Sequence, residues 1–156
     1  MTRNDQVNAL TVLSDIEILE ALKSGIIGIA PFSKKRLTPA GYDLASFSKI
    51  DINPRDHKLI ATLESIKLNP QILGTIYLKS SFAREGVIGS FAAIDPGFRG
   101  QLTLFLFNSG TRIVHINKNE PVVQVVFHVT SKPSDKPYIG RYQNSHNIVK
   151  SRRRIQ

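Results

Sequence analysis

Three short blocks of this chain combine residue types that suit one chemistry. They are residues 40–46 (AGYDLAS), 79–86 (KSSFAREG) and 94–100 (IDPGFRG). The middle block places two hydroxyls, a lysine and an arginine close together, a mixture that suits an anion with several oxygens, such as a triphosphate. The third block places one carboxylate, Asp95, before a Pro-Gly turn and an aromatic ring. A single carboxylate near a polyphosphate usually orients a water or holds a metal ion, so the blocks predict a nucleotide-hydrolysing site.

The composition limits the class of protein and its partners. The chain has 156 residues, 41% of them hydrophobic and 21% charged, which is typical of one globular domain with a real core. The 21 Lys+Arg against 12 Asp+Glu give a net charge of +9. This charge favours anionic partners, namely nucleotides, nucleic acids or acidic membranes, although solvation alone also explains the clusters at residues 34–36 and 151–154.

Several classes of site are excluded or disfavoured by what the sequence lacks. Cysteine is absent, which excludes disulfides, thiol catalysis and cysteine metal sites. The four histidines stand in no metal-ligand spacing. No apolar run reaches membrane-spanning length, and the N-terminus has no signal-peptide pattern. We therefore expect a soluble, cytoplasmic protein that does not bind a membrane.

The elements that must position these blocks are mostly strands. Ser14 and Glu17 have the spacing of a capping box, which predicts a short helix that ends near Gly25. Many short strands at close spacing indicate a sandwich, jelly roll or barrel. The predicted strands are Ile26–Ala30, His57–Leu63, Gly74–Leu78, Leu102–Phe107, Arg112–Ile116 and Val122–Val129.

The chain divides into three parts by composition. Residues 1–12 are predicted to form a loose N-terminal arm, and residues 13–130 the β domain. Residues 131–156 are polar, with Pro133, Pro137 and only scattered apolar side chains. We expect this C-terminal tail to become ordered only by docking on another surface.

Taken in order, the blocks resemble motifs of the trimeric dUTPase and dCTP deaminase superfamily over roughly residues 13–152. The segments that match, in chain order, are residues 39–44, 79–86 and 94–110, Gln124, and residues 138–143. The resemblance implies a distorted β-barrel or jelly roll of the β-clip type with a short N-terminal helix. It also implies a homotrimer with sites between subunits, a nucleotide triphosphate bound with Mg²⁺, and a tail that folds over a site.

The resemblance also assigns roles to individual residues. Asp95 would orient the attacking water, although an Asp at this point also caps a Pro-Gly turn. Asp43 either supports the water shell of the Mg²⁺ ion or ties down the turn at Gly41. Tyr138 and Arg141 would clamp the distal phosphates from the tail. The predicted substrate-binding residues are Lys79, Ser80, Ser81, Arg84, Phe98, Gln124, Tyr138 and Arg141.

Position 105 separates the two activities of the superfamily. Deaminating cytosine requires a group that moves protons while water attacks C4, and deaminases that this chain resembles use a glutamate after the third motif. Here the strand reads TLFLFN, and Phe105 occupies that place. Residues 96–119 contain no Asp or Glu to replace it, so the sequence favours dUTP hydrolysis over deamination.

Three departures from the family pattern bear on activity. Lys79 stands where relatives usually have arginine, and Ser145 replaces a glutamine common in the deaminase tail. The segment between Gly86 and Asp95 has only eight residues, which is shorter than the hairpin that reads the base in relatives. The first hypothesis is therefore a dUTP diphosphatase. The alternatives are a dCTP deaminase, and a catalytically silent nucleotide sensor or nucleic-acid-associated trimer.

Overall fold

The computed structural model describes residues 11–153. Most of the predicted arm, residues 1–10, and the last three residues of the tail lie outside the described residues. The helices are α1 (Asp15–Lys23) and α2 (Ser80–Arg84), with a 3₁₀ turn at Lys34–Arg36. The strands are β1 (Thr11–Val12), β2 (Ile27–Ala30), β3 (Leu37–Thr38), β4 (Gly41–Ala45), β5 (Ile50–Ile52), β6 (His57–Leu68), β7 (Ile72–Leu78), β8 (Val87–Ser90), β9 (Arg99–Asn108), β10 (Val114–Ile116) and β11 (Pro121–Val129).

Helix α1 begins at the predicted capping box. The Glu17 amide donates to Ser14 Oγ over 3.4 Å, and the Ser14 amide donates to Glu17 Oε2 over 2.8 Å. The helix buries Ile18 and Ala21 and ends at Lys23, after which Gly25 takes a left-handed conformation. The predicted helix is thus confirmed.

The strands form three antiparallel sheets. In the five-stranded sheet, β11 pairs with β7 along one edge and with β4 and then β1 along the other, while β3 extends β4. The four-stranded sheet has the order β2-β6-β9-β8, and β5 pairs with β10. The predicted mainly-β fold class is confirmed, although the sheets do not close into a complete barrel.

The core lies between the two larger sheets. Leu44 and Val125 come from the five-stranded sheet, and Ile60 and Leu106 from the four-stranded sheet. All four are buried in one cluster. Neither helix of the described chain is long and apolar enough to cross a membrane.

Candidate active site

One pocket of about 780 Å³ brings together part of the predicted site. It lies between β9, the loop before it, and the C-terminal tail. Asp95, Phe98, Phe105 and Tyr138 line it. Most of the other lining side chains are apolar or small: Leu59, Ile76, Phe91, Ala92, Ala93, Ile94, Leu102, Leu104 and Val149.

Asp95 offers an exposed carboxylate to this pocket. Its main-chain oxygen accepts a hydrogen bond from the Phe98 amide over 3.0 Å, which closes the Pro-Gly turn. Within the described residues its side chain has no hydrogen bond or ion pair, so the turn is made by the main chain and the carboxylate stays available to a ligand or water.

Two aromatic rings close one side of the pocket. Phe98 is only 7% exposed, and its ring packs edge-on against Tyr138 with 5.7 Å between centroids. The Tyr138 amide donates to the Pro96 carbonyl over 2.8 Å. The tail therefore holds its aromatic side chain directly over the turn that carries Asp95.

Phe105 lies in the pocket wall and is half-buried. It pairs with Leu59 of β6 and with Ser90 at the end of β8. The His57 ring stacks on the outside of the Phe105 ring at 5.3 Å, and it is not part of the pocket lining. Among the described residues that line the pocket, Asp95 is the single acidic side chain.

A second group of predicted residues lies on the five-stranded sheet. Asp43 of β4 is paired with Gln124 of β11 in the strand register. The Lys79 ammonium forms an ion pair with Asp43 Oδ2, and the side-chain Nε2 of Gln124 donates to Thr38 Oγ1. The second oxygen of Asp43 has no partner among the described residues. Sequence analysis did not predict the ion pair, which neutralises a lysine assigned to phosphate binding.

The middle block forms a helix rather than the end of a strand. Lys79 occupies the N-cap position of helix α2 without a side-chain capping bond. Ser80, Ser81 and Arg84 are exposed on the helix, while Phe82 is buried. The side chain of Arg84 makes no ion pair within the described residues. Its guanidinium, together with the two hydroxyls, is available to an anion.

The two groups are far apart within one chain. Ile94, just before Asp95, pairs with Gly74 near the start of β7 through amide–carbonyl bonds of 2.8 and 3.0 Å. Lys79 follows the other end of β7. Five residues of extended chain separate these points by roughly 16 Å. The predicted residues therefore fall into two separate groups. We call the group in the pocket around Asp95 the pocket half-site, and the group at residues 79–84 the anion half-site.

A buried ion pair supports the strand that carries Asp43. Glu64 of β6 is completely buried, accepts a hydrogen bond from the Ala45 amide over 3.0 Å, and pairs with Arg36. Burial raises the pKa of the Glu64 carboxyl, although both partners favour its ionised form. Because Ala45 ends β4, this contact fixes the strand two residues from Asp43.

The tail lies along the pocket, and sequence reasoning missed the contacts of one of its residues, Gln143. Gln143 and Ser145 bond to the third block and to β9. Gln143 stands in the segment that resembles the family tail, but its residue type alone gave no reason to single it out. The Arg141 guanidinium, predicted to bind phosphate, donates here to the Arg152 carbonyl over 2.7 Å.

The residues present fit an indirectly bound Mg²⁺ ion better than a direct one. No group of three His, Asp or Glu side chains able to hold a metal exists in the range 11–153. Mg²⁺ commonly keeps several waters and is held through substrate phosphates and one or two carboxylates. The free oxygen of Asp43 suits a hydrogen bond to such a water.

Comparison of the sequence with known proteins identifies the family. The family model described as dCTP deaminase-like matches residues 47–130. A dCTP deaminase of Thermococcus sibiricus is 43% identical over an alignment of 143 residues that covers 82% of this chain and 92% of that protein. A probable deoxyuridine 5′-triphosphate nucleotidohydrolase of Sulfolobus islandicus rod-shaped virus 1 is 31% identical over 153 residues, covering 88% of this chain and 96% of that protein.

Solved structures of both activities share the fold. The 2′-deoxycytidine 5′-triphosphate deaminase from Agrobacterium tumefaciens matches 77% of this chain and 48% of its own, with a TM-score of 0.67 and 16% identity. The EIAV dUTPase matches 74% of this chain and 96% of its own, with a TM-score of 0.58 and 25% identity. The chain therefore belongs to the dUTPase and dCTP deaminase superfamily. Within it, the matching family is the dCTP deaminase-like one.

Proposed function

We propose that this protein is a dUTP diphosphatase that hydrolyses dUTP to dUMP and pyrophosphate. One observation carries the proposal: Phe105 lines the pocket at the place where deaminases that the chain resembles have a glutamate. A phenyl ring cannot accept or donate a proton. Hydrolysis at the α-phosphate needs only an oriented water and charge neutralisation, and these requirements suit the residues that remain.

Asp95 is proposed to orient the attacking water. The water oxygen forms a bond to the α-phosphorus, the bond from that phosphorus to the bridging oxygen breaks, and pyrophosphate leaves. The water gives up its proton to the Asp95 carboxylate, which is exposed and free of partners in the described structure. Positioned acid–base groups of this kind typically accelerate a reaction by about 10²–10⁴-fold.

We propose that the anion half-site of one subunit binds the triphosphate of a nucleotide whose nucleoside lies in the pocket of a neighbouring subunit. Ser80 and Ser81 donate to phosphate oxygens, and Arg84 and Lys79 neutralise their charge. A bound Mg²⁺ ion would supply charge neutralisation on the phosphates, with Asp43 and Gln124 held beside its water shell. The placement of the two half-sites at opposite ends of β7, where roughly 16 Å of extended chain runs from Gly74 to Lys79, supports this assignment to two subunits, and thus a homotrimer with shared sites.

Phe98 and the tail are proposed to enclose the nucleoside. The Phe98 ring would lie against the deoxyribose and leave no room for a 2′-hydroxyl. Tyr138 covers the same ring from the tail. A nucleoside held between these rings would displace water from this side of the pocket, so that the water oriented by Asp95 is the one that reacts.

A dCTP deaminase is the second candidate, because relatives that are 43% identical carry that name. The two reactions differ in products. The protein should be incubated with dUTP and, separately, with dCTP, each with Mg²⁺. We expect dUMP and pyrophosphate from dUTP and no ammonia from dCTP. Ammonia above a no-enzyme control would overturn the diphosphatase assignment, and consumption of neither nucleotide would leave a binding protein.

A further inference from the structure

The tail packs on the same chain whose Asp95 lines the pocket. Tyr138, Tyr142, Ser145 and Val149 all line the pocket of their own subunit. Family resemblance implied only that the tail of one subunit folds over a site, without saying whose. Contacts between the tail and the third block favour docking of each tail on its own subunit.

Both the oxygen and the nitrogen of the Gln143 side-chain amide bond the tail to the turn after Asp95. Its Nε2 donates to the Gly97 carbonyl over 2.9 Å and to the Tyr138 carbonyl over 3.0 Å. Its Oε1 accepts from the Arg99 amide over 2.8 Å. One side chain therefore satisfies main-chain groups at Gly97 and Arg99, which both follow Asp95, and one group inside the tail.

Two glycines of the third block leave the space that the tail fills. Gly97 has φ 89°, and a Cβ there would lie 2.6 Å from Pro137 Cβ and 2.9 Å from the Tyr138 amide nitrogen. Gly100 has φ 142°, and its Cβ would lie 2.7 Å from the Ser145 amide nitrogen. Both positions combine a backbone that disfavours side chains with a close approach of the tail.

The tail then continues along the free edge of β9. The Asn144 amide donates to the Arg99 carbonyl over 2.8 Å, and the Gln101 amide donates to the Ser145 carbonyl over 2.9 Å. Further on, the Val149 amide donates to Thr103 Oγ1 over 2.9 Å. The main-chain pairing is one parallel bridge between Gly100 and Ser145, and bonds to β9 side chains continue the docking as far as residue 149.

We propose that each site is closed by the tail of the subunit that supplies its Asp95, and that Gln143 is the positioning residue that locks this tail in place. The docking itself follows from the contacts above. The effect on catalysis rests on the proposed function. Loss of the Gln143 hydrogen bonds would loosen both the turn that carries Asp95 and the packing of Tyr138 on Phe98, and turnover would fall.

Cross-linking tests the subunit assignment without any activity measurement. The chain contains no cysteine, so the double variant Thr103→Cys, Val149→Cys has no thiols other than the introduced pair. A short bifunctional thiol reagent should link the pair within one chain, and denatured protein should run as a monomer. Covalent dimers or trimers as the main product would overturn the proposal. Each single variant is the control for chance links between neighbouring subunits.

Limited proteolysis tests the role of Gln143. Trypsin cleavage after Arg141 should be about tenfold faster in Gln143→Ala, because cleavage follows the population of the undocked tail. Gln143→Glu, which accepts from Arg99 but cannot donate, should also be cleaved faster. His146→Ala is the matched control, since this exposed tail side chain has no partner in the described residues. Wild-type cleavage rates in both Gln143 variants would exclude the lock.

Subunit mixing connects the lock to turnover. Asp95→Asn and Gln143→Ala chains should be mixed after dissociation and assayed with whichever nucleotide the wild type converts. If the tail acts on its own subunit, the mixture should show the average of the two parental rates. A rate well above that average would mean that tails act between subunits. Absence of wild-type turnover would refute the proposed function, while the cross-linking result would still decide the docking.

Discussion

Asp95 is a free carboxylate in a pocket whose other walls are mainly apolar. Because its side chain forms no ion pair with a described residue, the carboxylate is available to accept a proton from a bound water. No other acidic side chain of the described residues lines the pocket. At the scale of single residues, the proposed function therefore makes Asp95 the position to test first.

Replacing Asp95 with Asn should abolish most hydrolysis and spare binding. The amide is nearly isosteric, but it cannot take a proton from the water. We expect kcat for dUTP to fall about 10²–10⁴-fold, with little change in nucleotide affinity measured by calorimetry. Turnover close to that of the wild type would remove Asp95 from the mechanism.

Arg84 offers a test of the anion half-site that leaves the fold undisturbed. Its side chain is exposed and unpaired among the described residues, so Arg84→Met leaves no buried partner unsatisfied. We expect KM for dUTP to rise about tenfold, because a charge-assisted contact to phosphate is lost. Arg112→Met, another exposed arginine without an ion pair in that range, should leave KM unchanged. Equal effects of the two would indicate only general charge attraction.

The residues of the pocket were more predictable than their contacts. Four predicted residues stand in motifs whose residue types indicate a function, and the structure brings all of them to one pocket: Asp95, Phe98, Phe105 and Tyr138. The ion pair of Lys79 was not predictable, because Asp43 lies 36 positions away in sequence and meets it only through strand pairing. Their assigned roles remain predictions.

Helix α1 shows how a local element carries a measurable pH dependence. Hydrogen bonds from the Ser14 backbone and side chain hold the pKa of the Glu17 carboxyl below its ordinary value. The ionised form is thus favoured by folding. Its stabilisation is present at neutral pH and is lost as pH falls below the ordinary pKa of a glutamate, about 4.3.

Glu17→Gln should therefore lower thermal stability more at neutral pH than in acid. We expect Tm to fall by about 1–3 °C near pH 7, and the difference from the wild type to narrow near pH 2.5 as Glu17 becomes protonated. Circular dichroism melting curves would measure this. Glu20→Gln, exposed on the same helix, is the control and should be neutral at both pH values. A Tm loss that is the same at both pH values would contradict the capping explanation.

Strands with a clear apolar pattern were predicted, and elements without one were missed. The six predicted strands all exist, with ends shifted by up to five residues. Strand β4 (GYDLA) was missed because it is buried throughout and shows no alternation. Helix α2 was missed because a five-residue helix with two serines has little intrinsic preference for its conformation.

At the scale of the whole molecule, the separation of the half-sites is the main constraint. Asp95 lies near one end of β7 and the phosphate-binding candidates follow the other end. Under the proposed function, we expect a neighbouring subunit to supply the second half of each site. The resemblance that predicted a trimer implies the same arrangement.

The protein should therefore run as a trimer near three times 17.4 kDa in sedimentation or light scattering. Its activity should fall upon dilution into monomers more steeply than its secondary structure. Because sites shared between subunits require assembly, fully active monomers would contradict the two-half-site model. A dimer with full activity would contradict the threefold arrangement specifically.

The tail residues that lie along β9 also affect how readily the protein aggregates. Past the end of β8, the β9 edge at residues 99–101 offers main-chain groups that bond only to the tail. An uncovered strand edge is a template on which other chains add as further strands. Chains clipped after Arg141 would expose this edge beside the apolar pocket. Such fragments would seed precipitation in concentrated stocks where the intact protein stays dispersed.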